Sequence, residues 1–130
     1  MRKNNGETVL LYNIVDKSLQ KKYQIVCLKL GIRVKAVKKE QLKEPVGALA
    51  GAKEVALHGE IYEGEGFVEP MMVMKGFGSA RLDEFLLALK KDKIPKIDLK
   101  AVLTEYNKEW DSFQLYEELK KEHAVMSQEK

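Results

Sequence analysis

The spacing of apolar residues in the first half of the chain predicts a strand, a helix, a second strand and a short helix. The run from Thr8 to Ile14 is almost continuously apolar, which is typical of a strand covered on both faces of a sheet. Asp16 can cap a helix over residues 17–30, where apolar side chains recur at helical spacing. Alternation over residues 32–37 predicts a second strand, and a short helix is expected over residues 45–50 because proline favours a helix start.

The second half shows the same kinds of pattern. Residues 71–74 form a continuous apolar run and predict a third strand, after which Ser79 is placed to cap a helix with one apolar stripe. Residues 99–103 alternate and predict a fourth strand. Asp111 and Gln114 have the spacing of a capping box, so they predict the start of the last helix.

Between these halves lies a connector over residues 54–70, rich in Gly and Glu and without a clear period. We therefore predict a single α/β domain over residues 1–130, with strand–helix–strand–helix units at 1–53 and 71–130. The expected sheet is mainly parallel, has about four strands in the order 2-1-3-4, and carries helices packed on it. Matching strands are 63 to 65 residues apart, which fits an internal duplication but also a chance match between similar units.

The predicted sheet suggests a ligand site where its first and third strands end. In a parallel sheet these ends would lie side by side and form a crevice, as in other open α/β sheets. Glycines and a helix N-terminus there could receive an anion. The alternative is that the glycines only make a tight turn. The residues expected to line this crevice are Asn13, Asp16, Gly76, Gly78 and Ser79.

A second candidate surface is the loop between the fourth strand and the last helix. Thr104, Asn107 and Trp110 are gathered on this loop, a position from which strand-to-helix units present groups to ligands. The alternative is structural: Thr104 and Asn107 bond the backbone of the loop, and Trp110 closes the edge of the core.

Charge is unevenly distributed along the chain. Residues 1–53 carry a net charge of +8 and residues 54–130 a net charge of −5. A basic first half could contact nucleic-acid phosphates, although a run of charges is more often a solvated face. The candidate contacts are Lys17, Lys21, Lys22, Lys29, Arg33, Lys35, Lys38 and Lys39.

The remaining chemistry is sparse. Cys27 is the single cysteine, so the chain can form no internal disulfide, and its place on an apolar helical stripe indicates a core residue. His58 and His123 have no spacing that predicts a metal site or a catalytic pair. Hence we expect no metal and no cofactor. No run is long and apolar enough to cross a membrane and no secretory signal is evident, so we expect a cytoplasmic protein.

The second half resembles the bacterial family known as domain of unknown function 3783. The resemblance spans Met71 to His123 and rests on four groups of residues: Met72-Val73-Met74-Lys75-Gly76-Phe77, Lys100-Ala101-Val102-Leu103-Thr104, Asn107 with Trp110, and Leu115-Tyr116-Glu117-Glu118-Leu119. It implies a small cytoplasmic bacterial α/β protein without an assigned activity.

Taken together, these patterns favour a non-catalytic binding or protein-interaction module whose partner is unknown and could be another protein or a second copy. The alternatives are a nucleic-acid-associated protein that uses the basic first half, and a small enzyme with its site at the edge where the strands end.

Overall fold

The computed structural model describes residues 6–128, with side chains described as far as residue 125. The predicted domain therefore extends beyond the described residues by 1–5 and 129–130. A 3-10 turn, Lys39–Gln41, follows the second strand. The strands and helices are β1 (Thr8–Tyr12), α1 (Lys17–Leu30), β2 (Arg33–Ala36), α2 (Val46–Leu49), β3 (Met71–Lys75), α3 (Ser79–Lys91), β4 (Leu99–Val102) and α4 (Ser112–Gln128).

The four strands form one sheet in the predicted order, β2-β1-β3-β4. β1 is parallel to β2 and β3 is parallel to β4, but β1 and β3 are antiparallel. The prediction of a mainly parallel sheet is therefore wrong, and the sheet is mixed. The reason is the connection: a single helix joins each parallel pair, whereas 34 residues separate β2 from β3 and leave the direction of β3 free.

Helices and loops cover both faces of the sheet, so that β1 and most of β3 are buried. On one face, Val9 and Met74 pack against α1 and α3 through residues such as Val26 and Phe85. On the other face, Leu10 and Val73 pack with apolar residues that include those of α2 and α4. This three-layer arrangement explains the continuous apolar runs, because alternate side chains enter different cores.

The helix ends follow local sequence. The Asp16 side chain accepts a hydrogen bond from the Leu19 backbone N–H at 3.0 Å, and the Asp111 side chain accepts one from the Gln114 N–H at 2.9 Å, as predicted. The prediction that Ser79 caps α3 is wrong. Gly78 occupies the cap position without a side-chain bond, and Ser79 is the first helical residue.

The two halves of the chain are not identical in layout. After β2 the first half has a 3-10 turn and a four-residue helix, whereas after β4 the second half has a 17-residue helix, so the predicted repeat of four elements is not confirmed. Thr8 pairs with Arg33 and Met71 with Leu99. In this register the second strands of the halves are 66 residues apart when the first strands are 63 apart. The duplication stays a prediction.

The connector over residues 54–70 has no helix or strand, yet it is bonded to the rest of the molecule. The buried carboxylate of Glu44 accepts hydrogen bonds from the backbone N–H groups of His58, Gly59 and Glu60 at 2.6, 2.8 and 3.1 Å. Further along, the Phe67 ring stacks on Tyr116 with centroids 4.0 Å apart. The connector is thus part of the layer that contains α2 and α4.

Within residues 6–128, no helix combines the length and the apolar character that a membrane span requires.

Candidate functional site

The crevice predicted from the sequence is not formed. Because β1 and β3 are antiparallel, Tyr12 at the end of β1 lies beside Met71 at the start of β3. Asn13 and Asp16 therefore lie at one end of the sheet, and the residues that follow β3 lie at the other.

At the first of these ends, both candidate residues have structural roles. The Asn13 side chain donates to the carbonyl oxygens of Phe67 and Glu69 at 2.8 and 2.9 Å, so it fastens the connector. Asp16 caps α1. A cavity of about 420 Å³ adjoins Asn13 and lies between the start of α1 and the ends of β1 and β2.

At the opposite end, the glycines serve the turn. A Cβ at Gly76 would lie 2.8 Å from the Gly6 carbonyl oxygen, and Gly76 has a φ of +85°, so the turn requires glycine. Gly78 caps α3 without a side chain. Beside this turn, Arg81 binds the buried Glu7 carboxylate through two nitrogens, with Nε donating at 2.7 Å. Arg81 also donates to the Leu30 carbonyl oxygen, so it joins α3, α1 and the start of β1.

The loop between β4 and α4 is likewise bonded to itself. The Asn107 side chain accepts from the Thr104 N–H at 2.8 Å and donates to the Val102 carbonyl oxygen at 3.1 Å. The Thr104 hydroxyl accepts from the N–H groups of Tyr106 and Asn107. Trp110 packs against the core formed with α4. These contacts are those of the structural alternative stated for this loop.

The eight basic residues considered for nucleic-acid contact are all exposed, but they do not share one face. Four of them lie on α1, which covers one face of the sheet. Lys35 points to the other face, where its ammonium group donates to the Leu49 carbonyl oxygen at 3.2 Å. The nucleic-acid alternative stays a prediction.

The structure shows a further cavity that the sequence did not predict. It has a volume of about 420 Å³ and lies between α3, the segment that follows it, and β4. Its deepest lining residues are Tyr23 and Met72, which are 1% and 2% exposed. We call it the α3–β4 cavity. The other lining residues are Leu86, Leu89, Lys90, Ile94, Pro95, Lys96, Ile97 and Lys100.

Lys100 enters this cavity because of its register in the sheet. It pairs with Met72, which belongs to the core under α1 and α3, so its side chain is on that covered face. Burial, together with the charge of Lys96, lowers the pKa of Lys100. Its ammonium group donates to the Ile97 carbonyl oxygen at 3.2 Å. A lysine in a strand predicted to be covered on both faces was the sequence feature that could have indicated this site.

Tyr23 is the second polar group of the cavity. Its hydroxyl makes no hydrogen bond within residues 6–128. In the same part of the chain, every side-chain nitrogen or oxygen that is sealed from solvent has a partner, so the Tyr23 hydroxyl is not sealed. Burial raises the pKa of Tyr23 to about 12, which keeps the hydroxyl protonated and able to donate.

The other groups considered for catalysis are dispersed. Burial raises the pKa of the Cys27 thiol to about 12, so it is a core residue and not an activated nucleophile. His58 and His123 are exposed on different segments. Among the residues that the structure describes, no three His, Cys, Asp or Glu side chains come together in a way that could hold a metal.

The segment that supplies most of this cavity also carries the family resemblance. Residues 70–126 match the family model described as Domain of unknown function (DUF3783). The predicted resemblance is thus confirmed for the second half. The DUF3783 region contributes β3, α3, β4 and nearly all of α4, whereas Tyr23 comes from the half outside it. No curated protein and no solved structure matches the chain.

Proposed function

We propose that this protein is a non-catalytic binding module that holds a small, largely apolar ligand in the α3–β4 cavity. The observation that carries the proposal is the Tyr23 hydroxyl, which belongs to a residue 99% removed from solvent and has no partner within residues 6–128. Buried hydroxyl groups are nearly always hydrogen-bonded, because an unpaired one costs free energy. A ligand in the cavity would supply the missing acceptor.

The size and lining of the cavity support a small organic ligand. Its volume of about 420 Å³ is within the range of small-molecule sites. At roughly 30 Å³ per water-sized group, this space accommodates about 14 non-hydrogen atoms. Most of the lining side chains are aliphatic, with a few polar groups among them, which is the usual composition of a ligand pocket.

The test is a titration of the protein with 1-decanol, followed by methyl NMR. We expect chemical-shift changes in the methyl groups of Met72, Leu89 and Ile94, with little change on the opposite face of the sheet. Leu86→Trp should fill the cavity and abolish these changes. Leu87→Trp is the matched control, because Leu87 is the next residue on the same helix and is 52% exposed outside the cavity. Unchanged methyl shifts, or equal binding by Leu86→Trp, would overturn the proposal.

A protein partner is the second candidate function, and the free edge of β4 favours it. β4 pairs only with β3, and a groove of about 270 Å³ beside it is lined by Trp110 and by Tyr106, which is 88% exposed. An extended segment of another protein could pair with such an edge. Replacement of Tyr106 by Ser should weaken capture of that partner without a change in stability, and retention of full capture would count against the β4 groove.

A further inference from the structure

We propose that the ligand of the α3–β4 cavity is an amphipathic carboxylate, whose head group is received by Lys100 and Tyr23 and whose chain lies against the aliphatic lining. This inference rests on the proposed function, since it names the class of ligand for the same cavity. It follows from the charge of the lining residues, from the unused donors of Lys100 and Tyr23, and from the shape of the apolar surface.

The charge of the lining is entirely positive. Three lysines line the cavity and no aspartate or glutamate does so. Lys90 and Lys96 are exposed, whereas Lys100 is only half-buried with its stem among apolar side chains. Asp98 is the nearest carboxylate that acts on Lys100, and it is exposed beside His123, with 3.9 Å between its Oδ2 and the His123 Nε2. An anion entering the cavity therefore meets a net positive field.

Hydrogen-bonding capacity points the same way. An ammonium group has three N–H donors, and Lys100 uses one of them on the Ile97 carbonyl oxygen at the long distance of 3.2 Å. The Tyr23 hydroxyl is a donor without an acceptor within residues 6–128. Both groups line the same cavity, and both lack an acceptor. A carboxylate supplies two acceptor oxygens and a negative charge, and so answers both needs.

The apolar part of the cavity sets the rest of the ligand. Leu86, Leu89, Ile94 and Ile97 offer only hydrocarbon surface, which favours an aliphatic chain over a polar body. A cavity for about 14 non-hydrogen atoms fits a linear carboxylate of roughly ten to twelve carbons. Inorganic anions would gain the charge interaction but leave the hydrocarbon surface unfilled.

The experiment compares decanoate, 1-decanol and decyltrimethylammonium, which share a chain and differ in the head group. Binding is measured by methyl NMR titration below the concentrations at which these compounds form micelles. We expect decanoate to bind about tenfold more tightly than decanol, because charge-assisted hydrogen bonds are stronger than neutral ones, and the cation to bind least. The preference should fall as salt is added.

Variants assign the preference to the named donors. Lys100→Met keeps the apolar stem and should make decanoate and decanol bind equally. Lys91→Met is the matched control, because Lys91 is exposed on the same helix outside the cavity lining, and it should keep the preference. Tyr23→Phe removes one unpartnered oxygen, so it should fold normally while it lowers decanoate affinity severalfold.

The outcomes separate the two proposals. Equal binding of decanoate and decanol to the unaltered protein would overturn the carboxylate inference and leave the apolar cavity as a ligand site. A decanoate preference that survives Lys100→Met would overturn the assignment of the head group to Lys100. Failure of all three compounds to bind would overturn both the inference and the proposed function.

Discussion

The Glu44 carboxylate should control whether the connector stays attached to the body of the protein. It is 6% exposed and accepts from three consecutive backbone N–H groups, with Oε1 serving His58 and Oε2 serving both Gly59 and Glu60. In Glu44→Gln one oxygen becomes an NH₂ group. Whichever way the amide is oriented, at least one backbone N–H then faces another donor. We expect a loss of about 2 kcal/mol, because hydrogen bonds to charged groups contribute roughly 1.5–3 kcal/mol each and at least one of the three is removed.

Hydrogen exchange measures this loss at the residues concerned. About 2 kcal/mol corresponds to a roughly 30-fold increase in the opening equilibrium of the segment, so the amides of residues 58–60 should exchange about 30-fold faster. Amides of β1 and β3 should be much less affected, since the connector can open while the sheet stays intact. Glu65→Gln is the control, because Glu65 is an exposed glutamate of the same connector. The reasoning is refuted if residues 58–60 exchange at the unaltered rate, or if Glu65→Gln has the same effect.

Three further perturbations test other parts of the fold. In Gly47→Ala the new Cβ would lie 2.7 Å from the Lys108 carbonyl oxygen, and we expect a loss of roughly 1–3 kcal/mol in urea unfolding; an unchanged midpoint would show that α2 and the loop do not approach so closely. Asn107→Ala leaves the Thr104 N–H without its acceptor and should cost about 1–3 kcal/mol in the same assay without affecting decanol binding; a loss of binding at full stability would instead make Asn107 a site residue. The raised pKa of Tyr23, about 12 against an ordinary 10.0, means that its contribution to stability is complete below pH 10 and is lost as pH rises towards 12. Urea unfolding across this range should show Tyr23→Phe gaining on the unaltered protein by about 1.4 kcal/mol per pH unit, and parallel curves would contradict the assignment.

Local elements could be predicted because short-range chemistry determines them. The helix over residues 17–30 and its Asp16 cap, and the start of α4 after Asp111, depend on neighbours within four residues along the chain. Strand order could also be predicted, since each crossover helix keeps its two strands close together. Ser79 is the local error, and it arose because Gly78 offers the chain an equally good cap without a side chain.

The site could not be predicted because it depends on contacts between distant segments. The direction of β3 is set after a 34-residue connection, and that direction decides whether Asn13 and Gly78 meet. The alternation around Lys100 was interpreted as a solvated face, whereas α3 and the segment after it cover that face. The lack of a partner for Tyr23 is a property of the packed structure, and no spacing in the sequence reports it.

The antiparallel pairing of β1 with β3 also determines what can exist separately. The family match begins at residue 70, between these two strands, so it divides the sheet along its central ladder. Residues 70–126 alone would present the β3 edge, with Met71 to Met74 uncovered on one side, and such an edge seeks another strand. Because the natural partner of β3 runs antiparallel to it, a second β3 related by a two-fold axis could take the place of β1. The inherited unit is thus half of a folding unit, and we expect the isolated segment to be a dimer in sedimentation experiments while the whole chain supplies the second half itself.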